Sequence, residues 1–207
     1  MGKVPSFLVV LGHPNPNSFN AAVAERYVET VRGLHRNAVL RDLYAIGFDP
    51  LLREAERTSN GAEGGAGDIQ AELDLLGQCD VLTFIYPLWF GMPPAIIKGY
   101  IDRVLGAGFR VDDLAQSREG VLRGKRLAVI TTSGSRLTWL EEHGMWVSLR
   151  RSFDEYLKTV FGFEQCDHYH ADSIADDLSA ADADRILFEV GEFARSVCAR
   201  TPTDIGA

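Results

Sequence analysis

Short, continuous runs of apolar residues constrain the fold of this chain more than any other feature. Residues 7–11 read FLVVL, residues 81–86 read VLTFIY and residues 127–132 read LAVITT. Runs of this kind are typical of strands buried on both faces, as in a parallel sheet covered by helices. Residues 38–43 and 166–170 are predicted as further strands, and the polarity of the latter predicts a place at the sheet edge.

Segments with helical spacing of apolar residues alternate with these strands. They are predicted at residues 21–34, from Asp68 onwards, at 93–105, at 143–161 and at 179–199. This alternation predicts an α/β protein with a doubly wound, five-stranded parallel sheet and helices on both faces. The prediction places residues 1–199 in one domain and residues 200–207 in a loose C-terminal tail.

Composition argues against several classes of protein. The 207 residues carry a formal net charge of −8, whereas a general nucleic-acid binder needs a basic face. No apolar run is long enough to cross a bilayer, and the apolar stretch near the N-terminus is predicted as a strand rather than a signal peptide. Cys79, Cys166 and Cys198 lack the spacing of a disulfide framework, so we expect reduced thiols and a cytoplasmic protein.

The loop after the first strand has the composition of a phosphate-binding turn. Residues 12–20 read GHPNPNSFN and lead into a helix, whose first N–H groups have no partner within the helix and attract anions. Asn17, Ser18 and Asn20 supply further hydrogen-bonding groups, and His13 can supply one more. A plain N-cap with a polar loop explains the same residues equally well.

The loops after the third and fourth strands complete a predicted binding edge, because ligands of such sheets bind at the carboxyl ends of the strands. Residues 86–94 read YPLWFGMPP, and their two large aromatic residues suit a planar ring system, although a core or dimer-interface role also fits them. Residues 131–135 read TTSGS, and such small residues let backbone N–H groups approach a ligand.

Four motifs together resemble the NAD(P)H:quinone oxidoreductase family. They are GH followed by SFN at residues 12–20, DLYAIGFDP at 42–50, the aromatic loop running into AIIKGYIDRV at 95–104, and the turn at 131–135. The resemblance implies a flavodoxin-like fold, a bound flavin, NADH or NADPH as electron donor, a quinone or similar small oxidant, and a homodimer.

The resemblance also implies where the flavin binds. The first loop is expected to lie at the flavin phosphate, the second at one side and the edge of the isoalloxazine, and the third at its pyrimidine side. The expected cofactor-binding residues are His13, Asn17, Ser18, Phe19, Asn20, Pro87, Leu88, Trp89, Phe90, Gly91, Thr131, Thr132, Ser133, Gly134 and Ser135. FMN and FAD both fit, and we expect FMN because the chain lacks the C-terminal extension of the mammalian branch.

The catalytic residues depart from the family pattern. The mammalian branch has a Tyr and a His after the third loop, and the nearest candidates here are Trp139 and His143, at a shorter spacing. Indole only donates a hydrogen bond, so Trp139 cannot take the acid role of Tyr. His143 either stabilises the charge that develops on hydride transfer or is a capping or surface histidine.

His168 and His170 are predicted to share one face of the fifth strand. Metal binding is conceivable, but no third ligand is clearly placed, so no metal is predicted and ordinary sheet-end histidines are preferred. On the helix after the second loop, Lys98 and Asp102 are expected to pair across one turn, and together with Arg103 to form a solvated face.

We therefore expect an NAD(P)H-dependent flavin oxidoreductase that works by a ping-pong mechanism. Two alternatives stay open at this point. One is a flavodoxin-type electron carrier, and the other is an ancillary regulatory flavoprotein subunit of a membrane transporter. The residues do not indicate which oxidant is physiological or whether NADH or NADPH is preferred.

Overall fold

The computed structural model describes residues 4–54, 56, 67–107, 122–175 and 177–201. The predicted C-terminal tail therefore lies outside the described residues beyond Thr201. Within the described part, the chain forms one parallel sheet with helices packed on both of its faces, as predicted.

The sheet has five strands in the order β2-β1-β3-β4-β5, and every neighbouring pair is parallel. The strands are β1 Ser6–Leu11, β2 Asn37–Asp42, β3 Val81–Pro87, β4 Arg126–Thr132 and β5 Gln165–Ala171. The predicted strands are thus confirmed to within one residue at each end. The edge position predicted for β5 is also confirmed, and most of its residues are only half-buried.

The helices lie between and after the strands. They are α1 Phe19–Gly33, α2 Gly67–Gln78, α3 Ala95–Tyr100, α4 Leu137–Glu142, α5 Met145–Leu149, α6 Tyr156–Phe161 and α7 Ala180–Ala199. A π-helical turn at Ile101–Leu105 extends α3, and another at Arg150–Glu155 joins α5 to α6.

Helix ends follow local chemistry. Ser179 caps α7 by accepting from the Asp182 N–H over 3.1 Å. The prediction that one helix runs from His143 was wrong at its start. Gly144 adopts a left-handed conformation with φ of 67°, which separates α4 from α5. The short helix α4 was not predicted at all.

Alternate side chains of the strands enter two cores. Leu8 and Val10 belong to the core beneath α2, α3, α5 and α6. Phe7 and Val9 belong to the core beneath α1 and α7. Burial of each such side chain contributes about 2 kcal/mol, so the uninterrupted apolar run of β1 stabilises both layers.

The expectation that Arg103 lies on a solvated helix face with Lys98 and Asp102 was wrong. Its side chain is 2% exposed, and it donates to the carboxylates of Glu56 and Asp68 over 3.1 and 3.0 Å. Lys98 and Asp102 do form the predicted ion pair at the surface. The prediction failed for Arg103 because its partners Glu56, Asp49 and Asp68 are distant in sequence, and helical spacing alone does not reveal them.

Among the described residues, no helix combines the length and the apolar character needed to cross a membrane. Cys79, Cys166 and Cys198 are all free thiols, as expected from their spacing.

Candidate functional site

Three loops meet at the carboxyl edge of the sheet, where the strand order reverses between β1 and β3. The Gly12 N–H donates to the Ile85 carbonyl over 3.0 Å, which holds the first loop beside β3. The Leu88 N–H donates to the Thr132 carbonyl over 2.7 Å, which ties the second loop to β4. The Asn20 side-chain amide donates to Thr132 Oγ1 over 2.9 Å, which links the first loop to the third.

The first loop is ordered by its own polar side chains. His13 Nδ1 accepts from the Asn15 N–H over 3.1 Å, and Asn15 Oδ1 accepts from the Asn17 N–H over 2.9 Å. Ser18 caps α1 by accepting from the Ala21 N–H over 3.2 Å. The predicted N-cap is therefore present, and the loop is a preformed turn rather than a loose connection.

The start of α1 leaves backbone donors at the edge of the site. Phe19 and Asn20 begin the helix, so their N–H groups have no partner within it. The Asn20 side chain is buried on Thr132 and is not a free donor, whereas Asn17 is exposed. An anion at this position would thus be bound mainly by backbone N–H groups and the helix dipole.

The second loop is a tight turn with strained backbone. Trp89 and Met92 exchange both N–H···O bonds over 3.0 and 3.1 Å, and between them Phe90 and Gly91 have φ of 52° and 75°. Two successive left-handed residues define a type I′ turn. Glycine adopts this conformation at little cost, but a bulky residue such as Phe90 is strained in it.

The same turn presents an aromatic surface to solvent. Phe90 is 106% exposed and Trp89 is 41% exposed. The Trp89 ring lies edge-on to the His13 ring, with 5.8 Å between their centroids. The aromatic surface of the second loop therefore adjoins the first loop. A fully exposed ring on strained backbone gains nothing from packing, and strain of this kind marks functional sites.

The third loop combines buried hydroxyls with exposed backbone. Thr131, Thr132 and Ser133 are buried, whereas Gly134 and Ser135 are exposed. The Ser133 hydroxyl donates to the Ser135 carbonyl over 2.7 Å. Within the described part of the chain, the N–H groups of Gly134 and Ser135 make no hydrogen bond, so they can donate to a ligand.

Of the predicted catalytic pair, Trp139 lies on α4 and His143 is the C-cap residue of that helix, which begins just beyond the third loop. His143 Nδ1 donates to the Trp139 carbonyl over 2.8 Å, and the two rings stack at 4.5 Å with a tilt of 32°. Both side chains are exposed. This arrangement leaves His143 Nε2 as the ring atom that can exchange a proton with a ligand.

Sequence reasoning missed a buried polar cluster beneath the third loop. Thr131 Oγ1 lies 2.8 Å from His168 Nε2 and 2.7 Å from His170 Nδ1, and His168 Nδ1 lies 2.6 Å from the Asp154 carboxylate. The shared face predicted for the two histidines is therefore correct. Asp154 was not predicted, and its only sequence signal is an acidic residue next to Phe153 on an apolar helix face.

Burial dominates the electrostatics of this cluster. Loss of water, followed by repulsion from His168, lowers the pKa of His170 to about 4. Burial raises the pKa of the Tyr86 hydroxyl well above its usual range, and the Asp154 carboxylate adds to the effect. His170 and Tyr86 are thus both neutral at neutral pH.

The assembled edge has the donor set of a site for a planar ring with an anionic tail. Helix α1 offers N–H groups for a phosphate, Trp89 and Phe90 offer an apolar face, and Gly134 and Ser135 offer N–H groups for ring oxygens. These features fit a flavin. No group of three or more His, Cys, Asp or Glu side chains in the described ranges could hold a metal ion.

Comparison with known proteins identifies the family and supports the fold. The family model described as "Flavodoxin-like fold" matches residues 5–187. An NAD(P)H oxidoreductase of Haemophilus influenzae, described as uncharacterized, is 36% identical over 76% of this chain and 78% of its own length. NAD(P)H dehydrogenase (quinone) 1 of Rattus norvegicus is 35% identical over 62% of this chain. The match spans 53% of the rat protein, so the chain covers about half of that relative.

A solved structure shows the same fold over nearly the whole chain. The NAD(P)H:quinone oxidoreductase of Methanothermobacter marburgensis superimposes with a TM-score of 0.79, covering 94% of this chain and 98% of its own, at 23% identity. With the family model, the relatives and the strand order in agreement, this chain belongs to the NAD(P)H:quinone oxidoreductase family of flavodoxin-like proteins.

Proposed function

We propose that this protein is a flavin-dependent oxidoreductase, which passes reducing equivalents from NADH or NADPH to a quinone or a similar small oxidant. The observation that carries the proposal is the turn that holds Phe90 in strained backbone with its ring wholly in solvent, beside Trp89. Packing within the described residues does not explain a ring held there, whereas stacking on a planar cofactor does. Family membership supports the same activity.

The residues present fit the flavin in a definite way. When bound, the flavin supplies the chemistry of accepting a hydride and passing electrons on. The N–H groups of Phe19 and Asn20 bind its phosphate, and Trp89 and Phe90 cover its ring system. The free N–H group of Gly134 stabilises negative charge on the ring.

The exposed apolar rim of the second loop can bind the nicotinamide and then the oxidant, one after the other. Phe90 and Met92 present apolar surface to solvent, and a nicotinamide and a quinone are both small planar rings. One apolar face that binds either reactant requires the first product to leave before the oxidant enters. We therefore expect ping-pong kinetics, with the nicotinamide and the oxidant competing for the same surface.

His143 is proposed to stabilise charge during turnover through Nε2, since Nδ1 is occupied by the Trp139 carbonyl. His143→Ala is expected to lower kcat about tenfold or more while flavin affinity stays unchanged. Glu142→Ala, at the exposed neighbouring position, is the matched control. Equal kcat in both variants would remove His143 from the mechanism.

The finer features of the proposal have separate support. The single helix N-terminus in the first loop suits one phosphate and favours FMN over FAD. Exposed apolar side chains at Tyr44, Ile46 and Leu51 favour a homodimer, and three free cysteines favour the reducing cytoplasm. Mass spectrometry of the released flavin and light scattering of the purified protein test the first two.

Anaerobic spectroscopy of the purified protein tests the central proposal. A yellow protein that is bleached by NADH or NADPH, and that recovers its colour when a quinone is added, would support it. A yellow protein that neither nucleotide reduces would indicate an electron carrier or a regulatory subunit. A colourless protein that takes up neither FMN nor FAD would overturn the flavin assignment.

A further inference from the structure

Helix α4 contributes little to fixing its own position. It has six residues, and Leu140 is the residue that it buries. Within the described ranges, Leu140 belongs to neither of the two hydrophobic cores, which pack against other helices. A helix of this length is not stable by itself in water. Contacts with neighbouring segments must therefore hold α4 in place.

The start of α4 is capped from another part of the chain. Arg136, at the N-cap position, makes no side-chain hydrogen bond to the helix. The Leu137 N–H instead donates to the Asp172 carboxylate over 2.6 Å, and Asp172 lies 35 positions further along the sequence. A carboxylate at this place satisfies a helical N–H group and interacts favourably with the positive end of the helix dipole. Asp172 thus caps α4 across the structure, as Ser18 caps α1 locally.

Asp172 belongs to a segment that is itself held in a defined shape. It directly follows β5. Two residues later, the Ile174 N–H donates to the Ser133 carbonyl over 2.8 Å, and Ser173 between them has left-handed backbone with φ of 58°. A residue other than glycine is uncommon in this conformation and persists where the surrounding contacts require it. The Asp172 carboxylate is therefore a fixed partner for α4 rather than a group on a loose loop.

The other end of α4 is held by the helix that follows it. Gly144, in left-handed backbone, separates α4 from α5. On α5, the Trp146 ring packs against the rings of His168 and His170 of β5, with 5.0 and 4.9 Å between centroids. Helix α4 is thus fixed to the β5 side of the sheet by a hydrogen bond at its start and by an aromatic contact beyond its end.

Both predicted catalytic side chains depend on this placement. Trp139 lies on α4, and His143 is the C-cap residue of the helix. His143 Nδ1 donates to the Trp139 carbonyl over 2.8 Å, and the two rings stack. These contacts tie the His143 ring to α4, so a displacement of the helix displaces the ring.

We propose that Asp172 is a positioning residue for the reaction, because its carboxylate fixes the start of α4 and thereby the place of His143 beside the third loop. The proposal rests on the function proposed above, in which His143 stabilises charge during turnover. Asp172 acts through the helix and does not itself touch the flavin or a substrate. Its role requires an oxygen that accepts from the Leu137 N–H, and the side-chain oxygen of Asn can do the same.

Hydrogen exchange of the α4 amides tests this role without flavin. The N–H groups of Leu140 and His143 donate to the carbonyls of Arg136 and Trp139. In Asp172→Ala they are expected to exchange about tenfold faster, because loss of the cap favours opening of the helix. Asp172→Asn keeps an accepting oxygen and should stay within about twofold of the wild-type rates. Unchanged exchange in Asp172→Ala would overturn the proposal.

A second pair of variants breaks the same hydrogen bond from its donor side, and it decides the question if Asp172→Ala does not fold. Leu137→Pro removes the N–H group at a helix position that tolerates proline, whereas Leu137→Ala shortens the side chain and keeps the N–H group. Exchange should be faster in Leu137→Pro than in Leu137→Ala, and equal exchange in the two would overturn the proposal. Asp177→Ala, at an exposed position of the connection after β5, is the control and should leave exchange unchanged.

Kinetics test whether Asp172 acts through His143. Asp172→Ala is expected to lower kcat about fivefold, and Asp172→Asn should restore it. Flavin affinity should change by less than about twofold, because Ile174 still holds the third loop. In a His143→Ala background, Asp172→Ala should lower kcat no further. An equal loss in both backgrounds would overturn the proposal.

The activity of the wild-type protein separates a failure of this proposal from a failure of the function on which it rests. A protein that binds no flavin, or that oxidises neither NADH nor NADPH, would defeat the proposed function. The exchange rates of the Asp172 and Leu137 variants would still decide whether Asp172 fixes α4. An active protein whose α4 amides exchange at the wild-type rate in Asp172→Ala would defeat the positioning role alone.

Discussion

The second and third loops border the same site but are built in opposite ways. The second loop holds an exposed aromatic ring on left-handed backbone, and its side chain gains nothing from the core. The third loop exposes little more than backbone, and its buried hydroxyls are tied to β5 by histidines. The second loop thus presents an apolar surface on strained backbone. The third loop presents backbone N–H groups whose position is fixed by hydrogen bonds between its hydroxyls and the histidines of β5.

This difference separates two ways of preparing a binding site. Removing the ring of Phe90 should reduce binding without lowering stability, because the ring is fully exposed in the described structure. Removing a hydroxyl beneath the third loop should reduce stability and binding together, because the same hydrogen bonds serve both.

Thr131→Val should have the largest effect. The substitution keeps the shape of the side chain but removes the hydroxyl that contacts His168 and His170, which leaves two buried ring nitrogens without partners. We expect the free energy of unfolding to fall by about 3 kcal/mol in urea denaturation. Thr138→Val, at an exposed position of α4, is the control and should change stability by less than about 0.5 kcal/mol. Equal losses in the two variants would contradict a buried network.

Acid should lower the stability of the protein through His170, which is hydrogen-bonded to the hydroxyls of the third loop. The pKa of His170 is about 4 in the folded protein, below its unfolded value, so the unfolded chain binds the proton first. Stability from this group is complete above about pH 6.5 and is lost as pH falls towards about 4. Between about pH 7 and pH 5, wild-type protein should lose about 2 kcal/mol more than His170→Gln. Parallel stability curves for the two proteins would contradict this burial.

Phe90→Asn should have the smallest effect on stability, and in the opposite direction. Asn tolerates left-handed backbone, so relief of strain should raise the free energy of unfolding by about 0.5 kcal/mol. Flavin affinity should fall about tenfold because the stacking ring is gone. Phe90→Tyr keeps the ring and should keep the affinity. A loss of stability in Phe90→Asn would show that the ring packs against the protein after all.

Local patterns were sufficient to predict much of the molecule. The strands were predicted because apolar runs need burial wherever they occur. The N-cap at Ser18 was open to prediction because it acts within a single turn of chain. Helix α4 was missed because six residues are too few for a clear periodic pattern. Arg103 was misassigned because its partner Glu56 lies 47 positions away in sequence.

The sequence by itself determined the layers of the fold, the three loops at the carboxyl edge and the family resemblance, because apolar runs, helical spacing and turn chemistry are all properties of short stretches of residues. Only the tertiary structure decided that Asp154 reaches His168, that Thr131 lies between two histidines, and that Phe90 is strained and exposed. Those contacts join residues from β4, β5 and the helix layer. Their distances depend on how the layers pack, and packing is a property of the whole chain.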